Sequence, residues 1–350
     1  MDKITQRDVA NFAGTSTGTV SRVLNNIPLV DANTRAKVLE AIKTLGYIPN
    51  HAAQTLAIGR TKNILLLILD KEPITTSTWQ YELPILQGIN NYIQSKGYVL
   101  QIEMLHYLEG SAGNNIHERL FQNRSVDGLI VLTSWHIESA SIEKIFMWKI
   151  PTVFIGNGPY QHKGDPVGSA VLFDNYTIIK EVYSMLWQLG HRAIAFIKGD
   201  EMQLHSAIRL DAFLQANKEH NSLYREEYIF SGNYSVQGGY RALYAFAKLA
   251  SRPTAVICAN DLMAIGLMKA ASELGISIPD DLSVIGFDNV EISEYLTPPL
   301  STIQVPAYDM GLKSAIMLIN KIEGTEPEET LVLPASFVIR QSTTQIQVAG

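Results

Sequence analysis

The periodicity of the sequence changes at Gly59. Residues 5 to 45 carry apolar positions at helical spacing without strand-like alternation. Thr5, Ser16 and Asp31 each offer a side-chain oxygen to the free amides of a helix start, and Gly46 supplies a stop. Beyond Gly59, apolar runs alternate with helix-length stretches. The first, Ile64-Leu65-Leu66-Leu67-Ile68-Leu69, is the kind of run that parallel sheets bury on both faces. The chain is therefore confined to a small all-α head followed by an α/β body, with a boundary near residue 60.

Further strands are expected at Tyr98 to Met104, Gly128 to Leu132, Thr152 to Ile155, Ala193 to Ile197, Ala255 to Ala259 and Ser283 to Phe287, separated mostly by helical stretches. Gly and Pro crowd residues 156 to 168 and break the series midway, which predicts two lobes of similar size, parting there around a ligand cleft. Ligands of such sheets bind at the carboxyl ends of the strands, so contacts are expected just after Leu132, Ala259 and Phe287.

The formal charge of the 350 residues is -6, but it is unevenly divided. Residues 1 to 62 hold eight Lys/Arg against four acids, a net +4, and the remaining 20 basic and 30 acidic residues give -10. A basic head suits phosphate. The polar start lacks the apolar core of a secretory signal, and no stretch of about 18 apolar residues occurs, so a cytoplasmic protein without a membrane partner is expected. Cys258 lies in an apolar run and reads as a core residue. The eight histidines show no metal-ligand spacing and no phosphate-cradling Gly-rich loop opens a helix, so neither metal nor other cofactor is expected. His191, at a helix-to-strand junction, reads as structural.

Residues 5 to 25 read as two short helices meeting across a glycine turn. Val9, Ala10, Ala13, Val20, Val23 and Leu24 supply apolar contacts, and small Ala10 allows the close approach of a helix-turn-helix. The second helix then exposes Thr17, Gly18, Ser21, Arg22 and Asn25, with Arg22 able to make a bidentate contact to guanine. A solvated surface helix is the plainer alternative. Residues 14 to 18 also match the Gly-x-Ser-x-Gly of hydrolases, but a nucleophile elbow must follow a buried strand, and Ser16 is better read as a helix cap.

The order Asp8-Val9-Ala10, Ala13-Gly14 and Thr19-Val20-Ser21-Arg22-Val23-Leu24-Asn25 closely resembles the heads of the lactose-repressor (LacI/GalR) family of bacterial transcription regulators. The match continues through Thr34-Arg35, Leu45-Gly46-Tyr47-Ile48-Pro49-Asn50 and Ala53-Gln54 to Leu56-Ala57. The resemblance implies DNA contacts from Thr5, Ser16, Thr17, Gly18, Thr19, Ser21, Arg22, Asn25, Thr34 and Tyr47, and from Asn50, Ala53, Gln54 and Leu56 in a hinge helix. That hinge would order only on DNA, with Leu56 wedged into the minor groove; a flexible linker is the alternative. Positions 17 and 18 help to choose the operator in this family, and Gly18 has no side chain to read a base.

The resemblance runs on to about residue 340, through Val126-Asp127-Gly128, Asp174-Asn175, Leu189-Gly190-His191-Arg192, Asn260-Asp261 and Ile278 to Asp288, and implies a periplasmic-binding-protein-like body. It implies effector contacts from Asp174, Arg209, Asn260 and Asp288, whose donors and acceptors suit the hydroxyls of a sugar. Tyr81, Trp135 and Tyr234 are candidates to cover a sugar's apolar face. Tyr81 belongs to an atypically long segment, Asp70 to Glu82, where relatives carry a short Asp-x-x-Asn-Pro-aromatic motif. Without the resemblance, a helix cap for Asp288 and a surface ion pair for Arg209 are the alternatives.

The domains expected are a helix-turn-helix head (1–48), a hinge (49–60) and a two-lobed effector-binding and dimerisation body (61–345). The function expected is a non-catalytic repressor: a homodimer on pseudo-palindromic double-stranded operator DNA, controlled by a small molecule, a sugar first. A sugar-binding receptor would not need the basic head, and a sugar-processing enzyme would need a carboxylate pair that no motif reveals.

Overall fold

The computed structural model describes residues 4–24, 27–47, 60–70, 79–106, 126–133, 149–156, 161–162, 165–166, 168–200, 202–222, 225–325 and 330–346. They fall into two compact units.

The first unit holds α1 (Gln6–Phe12), α2 (Thr17–Leu24) and α3 (Ala32–Leu45). All three expected caps form. Asp8 N–H donates to Thr5 Oγ1 at 3.4 Å while Thr5 N–H donates to Asp8 Oδ2 at 2.8 Å, a reciprocal box. Ser16 Oγ accepts from Thr19 N–H at 3.1 Å, and Asp31 from Thr34 N–H at 2.9 Å. Val9, Ala10, Val20, Val23, Val38 and Ala41 are the buried core, so one face of each helix points inward. Burial of each valine stabilises by roughly 1.5 to 3 kcal/mol, which leaves so small a core dependent on its caps. Arg35 adds a tie by donating to Ile27 C=O at 2.8 Å.

In the second unit the order is β1 (Asn63–Asp70), α4 (Trp79–Ser95), β2 (Val99–His106), β3 (Gly128–Thr133), β4 (Thr152–Gly156), the ribbon β5 (Gln161–His162) and β6 (Asp165–Pro166), and β7 (Ser169–Phe173). There follow α5 (Asn175–Gln188), β8 (Ile194–Lys198), α6 (Leu204–Glu219), β9 (Ile229–Ser231), α7 (Val236–Phe246), β10 (Ala255–Cys258) and α8 (Asp261–Leu274). The last elements are β11 (Ser283–Asp288), β12 (Ser301–Gln304), α9 (Ala307–Glu323), β13 (Thr330–Leu333) and β14 (Ser336–Val338). One sheet is ordered β13-β7-β4-β3-β1-β2 and the other β14-β12-β11-β10-β8-β9. Ile64 to Leu67 are almost wholly buried, as expected for a strand covered on both faces.

The lobes do not part at residues 156 to 168. After that stretch β7 pairs with β4 in the same sheet, Phe154 opposite Ala170, and the chain first crosses to the second sheet through α5. It returns later: α9 packs on α4, β3, β4 and β7, and β13 closes the first sheet beside β7. Gly and Pro mark a turn, but the sheet that a following strand joins depends on its partners. A methyl group on Gly311 would overlap the backbone of Ile85, so the α4–α9 crossing depends on a residue without a side chain. His191 is structural, with Nδ1 bonded to Thr254 Oγ1 and Nε2 to Thr344 C=O, each at 3.0 Å.

Candidate functional site

A cleft partly open to solvent lies at the carboxyl ends of strands from both sheets. Leu132 and Thr133 end β3, Phe173 ends β7, Asn260 follows β10 and Asp288 ends β11, and all five line it. The three places expected from sequence are thus all at the cleft wall.

Arg209, on α6, is 5% exposed, which excludes the surface ion pair. Its Nε–H donates to Asn175 Oδ1 at 2.7 Å and its Nη1–H to Ala259 C=O. The guanidinium carbon lies 3.5 Å from the centroid of the Phe287 ring, a cation–π stack that further fixes its plane. Five N–H groups minus the two donated leaves three for other partners.

Asp288 is no helix cap: the following 3-10 turn, Glu291–Glu294, is preceded by Val290. Its φ of 109° and the 56° of Asn289 are unusual for residues with a side chain and cost free energy. The turn is held because Asn289 donates to Gln304 Oε1 at 2.6 Å and accepts from Arg340 Nη2 at 2.8 Å. Burial raises the Asp288 carboxyl well above the usual carboxylate range, Arg209 opposes this, and Asp261 and Glu82 add to it. Asp261 lies behind the wall, fully buried, accepting from Thr302 Oγ1 at 2.6 Å and Val290 N–H at 2.9 Å. Burial raises it to about 7 against those hydrogen bonds.

Tyr81, Tyr234 and Asn260 also line the cleft. Tyr81 stands on the first turn of α4, where its hydroxyl meets Met310 Sδ at 3.9 Å. Burial, then the Glu82 and Asp288 charges, raise its pKa against Arg209. The Tyr234 ring occupies the space that a side chain at Gly199 would need. Asn260 caps α8 by accepting from Met263 N–H at 2.9 Å and donates to Tyr234 C=O at 3.0 Å, so both ends of its amide already have partners.

Asp174 departs from the expectation. Its Oδ1 accepts from Tyr176 N–H at 3.1 Å and Thr177 N–H at 2.9 Å as the cap of α5, and Asp174 is not among the residues that line the cleft. The neighbouring Asn175 is the residue that reaches the site, through Arg209. Trp135 lies outside the described residues. Phe173, Gln203 and His205 in the lining were not foreseen. For His205 a signal existed, because it precedes Arg209 by four residues and so shares its helix face.

In the head, Ser16, Thr17, Gly18 and Arg22 are exposed along the start and outer face of α2, while Thr19 and Ser21 are half-buried. Ser16 and Thr19 hydroxyls bond each other at 2.9 Å, and the Thr5 hydroxyl donates to Asp8 at 2.6 Å. Thr34 is half-buried in the first turn of α3, and Tyr47 packs against the head core. Asn25, Asn50, Ala53, Gln54 and Leu56 lie outside the described residues. Among the described residues no group of three or more His, Cys, Asp or Glu could hold a metal ion, and no helix is long and apolar enough to cross a membrane.

A three-helix head with a capped α2 and a two-sheet body with a cleft at its strand ends have the architecture of a transcriptional regulator. Residues 5–50 match the model of bacterial regulatory proteins of the lacI family, and residues 183–343 that of a periplasmic binding protein-like domain. The HTH-type transcriptional repressor PurR of Mannheimia succiniciproducens is 31% identical over 98% of this chain and 99% of its own length; that of Yersinia enterocolitica is 34% identical over 97% and 96%. The chain belongs to the lacI family. Among solved structures, the Lac repressor dimer bound to operator and the anti-inducer ONPF superposes with a TM-score of 0.81 at 26% identity, covering 98% of this chain and all of that one. The CelR–cellobiose complex gives 0.69 at 27%, covering 97% and all of its chain.

Proposed function

We propose that the chain is a cytoplasmic repressor in which the outer face of α2 reads operator DNA and the cleft binds a small hydroxyl-rich effector, a sugar first, that sets operator affinity. It acts as a homodimer, since two heads are needed for two half-sites, and performs no chemistry on its ligand. The observation that carries the effector reading is Arg209, buried and clamped by Asn175, Ala259 and Phe287 with further N–H groups still to donate. A donor fixed in this way binds oxygen with little ordering cost, and Asp288 supplies an acceptor among the lining residues. The cellobiose of the CelR complex and the operator of the Lac repressor complex support ligands of these two kinds.

A thermal-shift screen over sugars, nucleosides and amino acids, followed by operator binding with and without each hit, tests the reading. A ligand at 100 times its dissociation constant stabilises by about 2.7 kcal/mol. A sugar that stabilises the parent, changes its operator affinity and does neither in Arg209→Ala would bear the reading out. A hit whose effects survive Arg209→Ala would remove the cleft from it.

A further inference from the structure

His205, 7% exposed, lines the cleft one helical turn before Arg209, its ring stacked on Phe173 with centroids 5.5 Å apart. Its Nδ1 lies 3.0 Å from Asn175 Nδ2. Which nitrogen of a histidine carries the proton is settled by its partners, and here they leave one answer. Arg209 has only donors, so the Asn175 atom that it meets at 2.7 Å must be the carbonyl oxygen. A backbone carbonyl only accepts, so the 3.4 Å contact of the Asn175 amide nitrogen with Phe173 C=O agrees with that orientation. The short contact with Arg209 therefore orients the amide. Its NH₂ faces His205, Nδ1 must accept, and the single proton of a neutral imidazole goes to Nε2.

Nε2 is buried, and no described residue bonds it. A second proton is opposed by burial and then by the Arg209 charge, which together hold the ring down to about 3. A buried N–H without an acceptor costs free energy that a ligand oxygen would recover. We infer that Arg209 and Asn175 lock His205 as a fixed Nε2–H donor, and that this wall of the cleft selects a ligand presenting a lone-pair oxygen, hydroxyl or carbonyl, against one presenting an ammonium or amide N–H. The inference rests on the effector reading only for what occupies the cleft; the locked tautomer stands or falls independently.

The experiment is nitrogen NMR on the full-length protein labelled with ring-¹⁵N histidine, without added ligand, the His205 signals being assigned by their loss in His205→Gln. The expected spectrum has a pyridine-type Nδ1 and a pyrrole-type Nε2, unchanged between pH 8 and pH 5. A protonated Nδ1 overturns the inference. Asn175→Asp keeps an acceptor for Arg209 but must accept from His205 as well, so Nδ1 should become protonated; an unchanged tautomer there overturns the relay. If that variant does not fold, the parent spectrum decides alone. For any sugar that stabilises the parent in the screen, His205→Leu should bind at least tenfold more weakly and His205→Gln, which retains an N–H, should recover part of the loss. Equal binding by the parent and His205→Leu overturns the ligand contact, whereas survival of the response in Arg209→Ala strikes the effector reading and leaves the tautomer standing.

Discussion

Arg22 is exposed on α2 while Val20 and Val23 beside it are buried, so its guanidinium can be removed without opening the head core. If it reads a base, Arg22→Ala lowers specific operator affinity by about 1 to 3 kcal/mol per half-site and nearly spares random DNA. Equal losses on both in a fluorescence titration would reduce Arg22 to a phosphate contact. His205 carries a pH prediction of definite sign. Its pKa is held down to about 3 against an ordinary 6.5, so between these values the unfolded chain binds a proton that the folded chain refuses. Stability from this group therefore falls as pH falls through that window and is flat above it, by up to about 1.4 kcal/mol per pH unit. Asp261, raised to about 7, acts with the opposite sign. Comparison with His205→Leu cancels that effect. Urea denaturation at pH 7, 6 and 5 should show the parent losing stability faster than the variant, and parallel losses would contradict a buried neutral ring.

The connection from β8 to α6 passes Gly199, whose missing side chain leaves room for the Tyr234 ring. Gly199→Ala should therefore expel that ring from the cleft wall, while the three helices of the head keep their own core. Effector binding is expected to weaken by about 1 to 3 kcal/mol, with operator affinity in its absence within about twofold of the parent. Calorimetry and a gel-shift titration measure the two separately. Unchanged effector affinity would show that Tyr234 is not part of the binding wall.

At the scale of the whole molecule, the proposed function links effector and operator. Whatever factor the effector imposes on operator affinity, the operator must impose on effector affinity. Calorimetry with and without operator should return the same factor as DNA titration with and without effector. Asp288→Ala and Arg209→Ala should each reduce that factor toward one and leave operator affinity without effector nearly intact. A normal response in both variants would show that the cleft does not hold the effector.

Features set by local chemistry were legible in the residues themselves. Thr5, Ser16 and Asp31 cap helices because a side-chain oxygen needs only the amides two or three residues on, and Ile64 to Leu69 form a strand because a continuous apolar run satisfies burial on both faces. The carboxyl-end rule similarly places Asn260 and Asp288 at the cleft from their positions after apolar runs. Short strands such as β9, β12, β13 and β14 were not legible, since three or four residues carry too little periodicity and their pairing partners lie far away in sequence. Nor could sequence separate Asp174 from Asn175. Adjacent polar residues at a helix start look alike, and only the approach of Arg209 and His205 from α6 made one a cap and the other the hinge of a hydrogen-bond relay. The residues determined which groups could donate and accept; packing across some 30 residues of chain decided which of them meet, because a hydrogen bond requires its partner within about 3 Å whatever the distance along the chain.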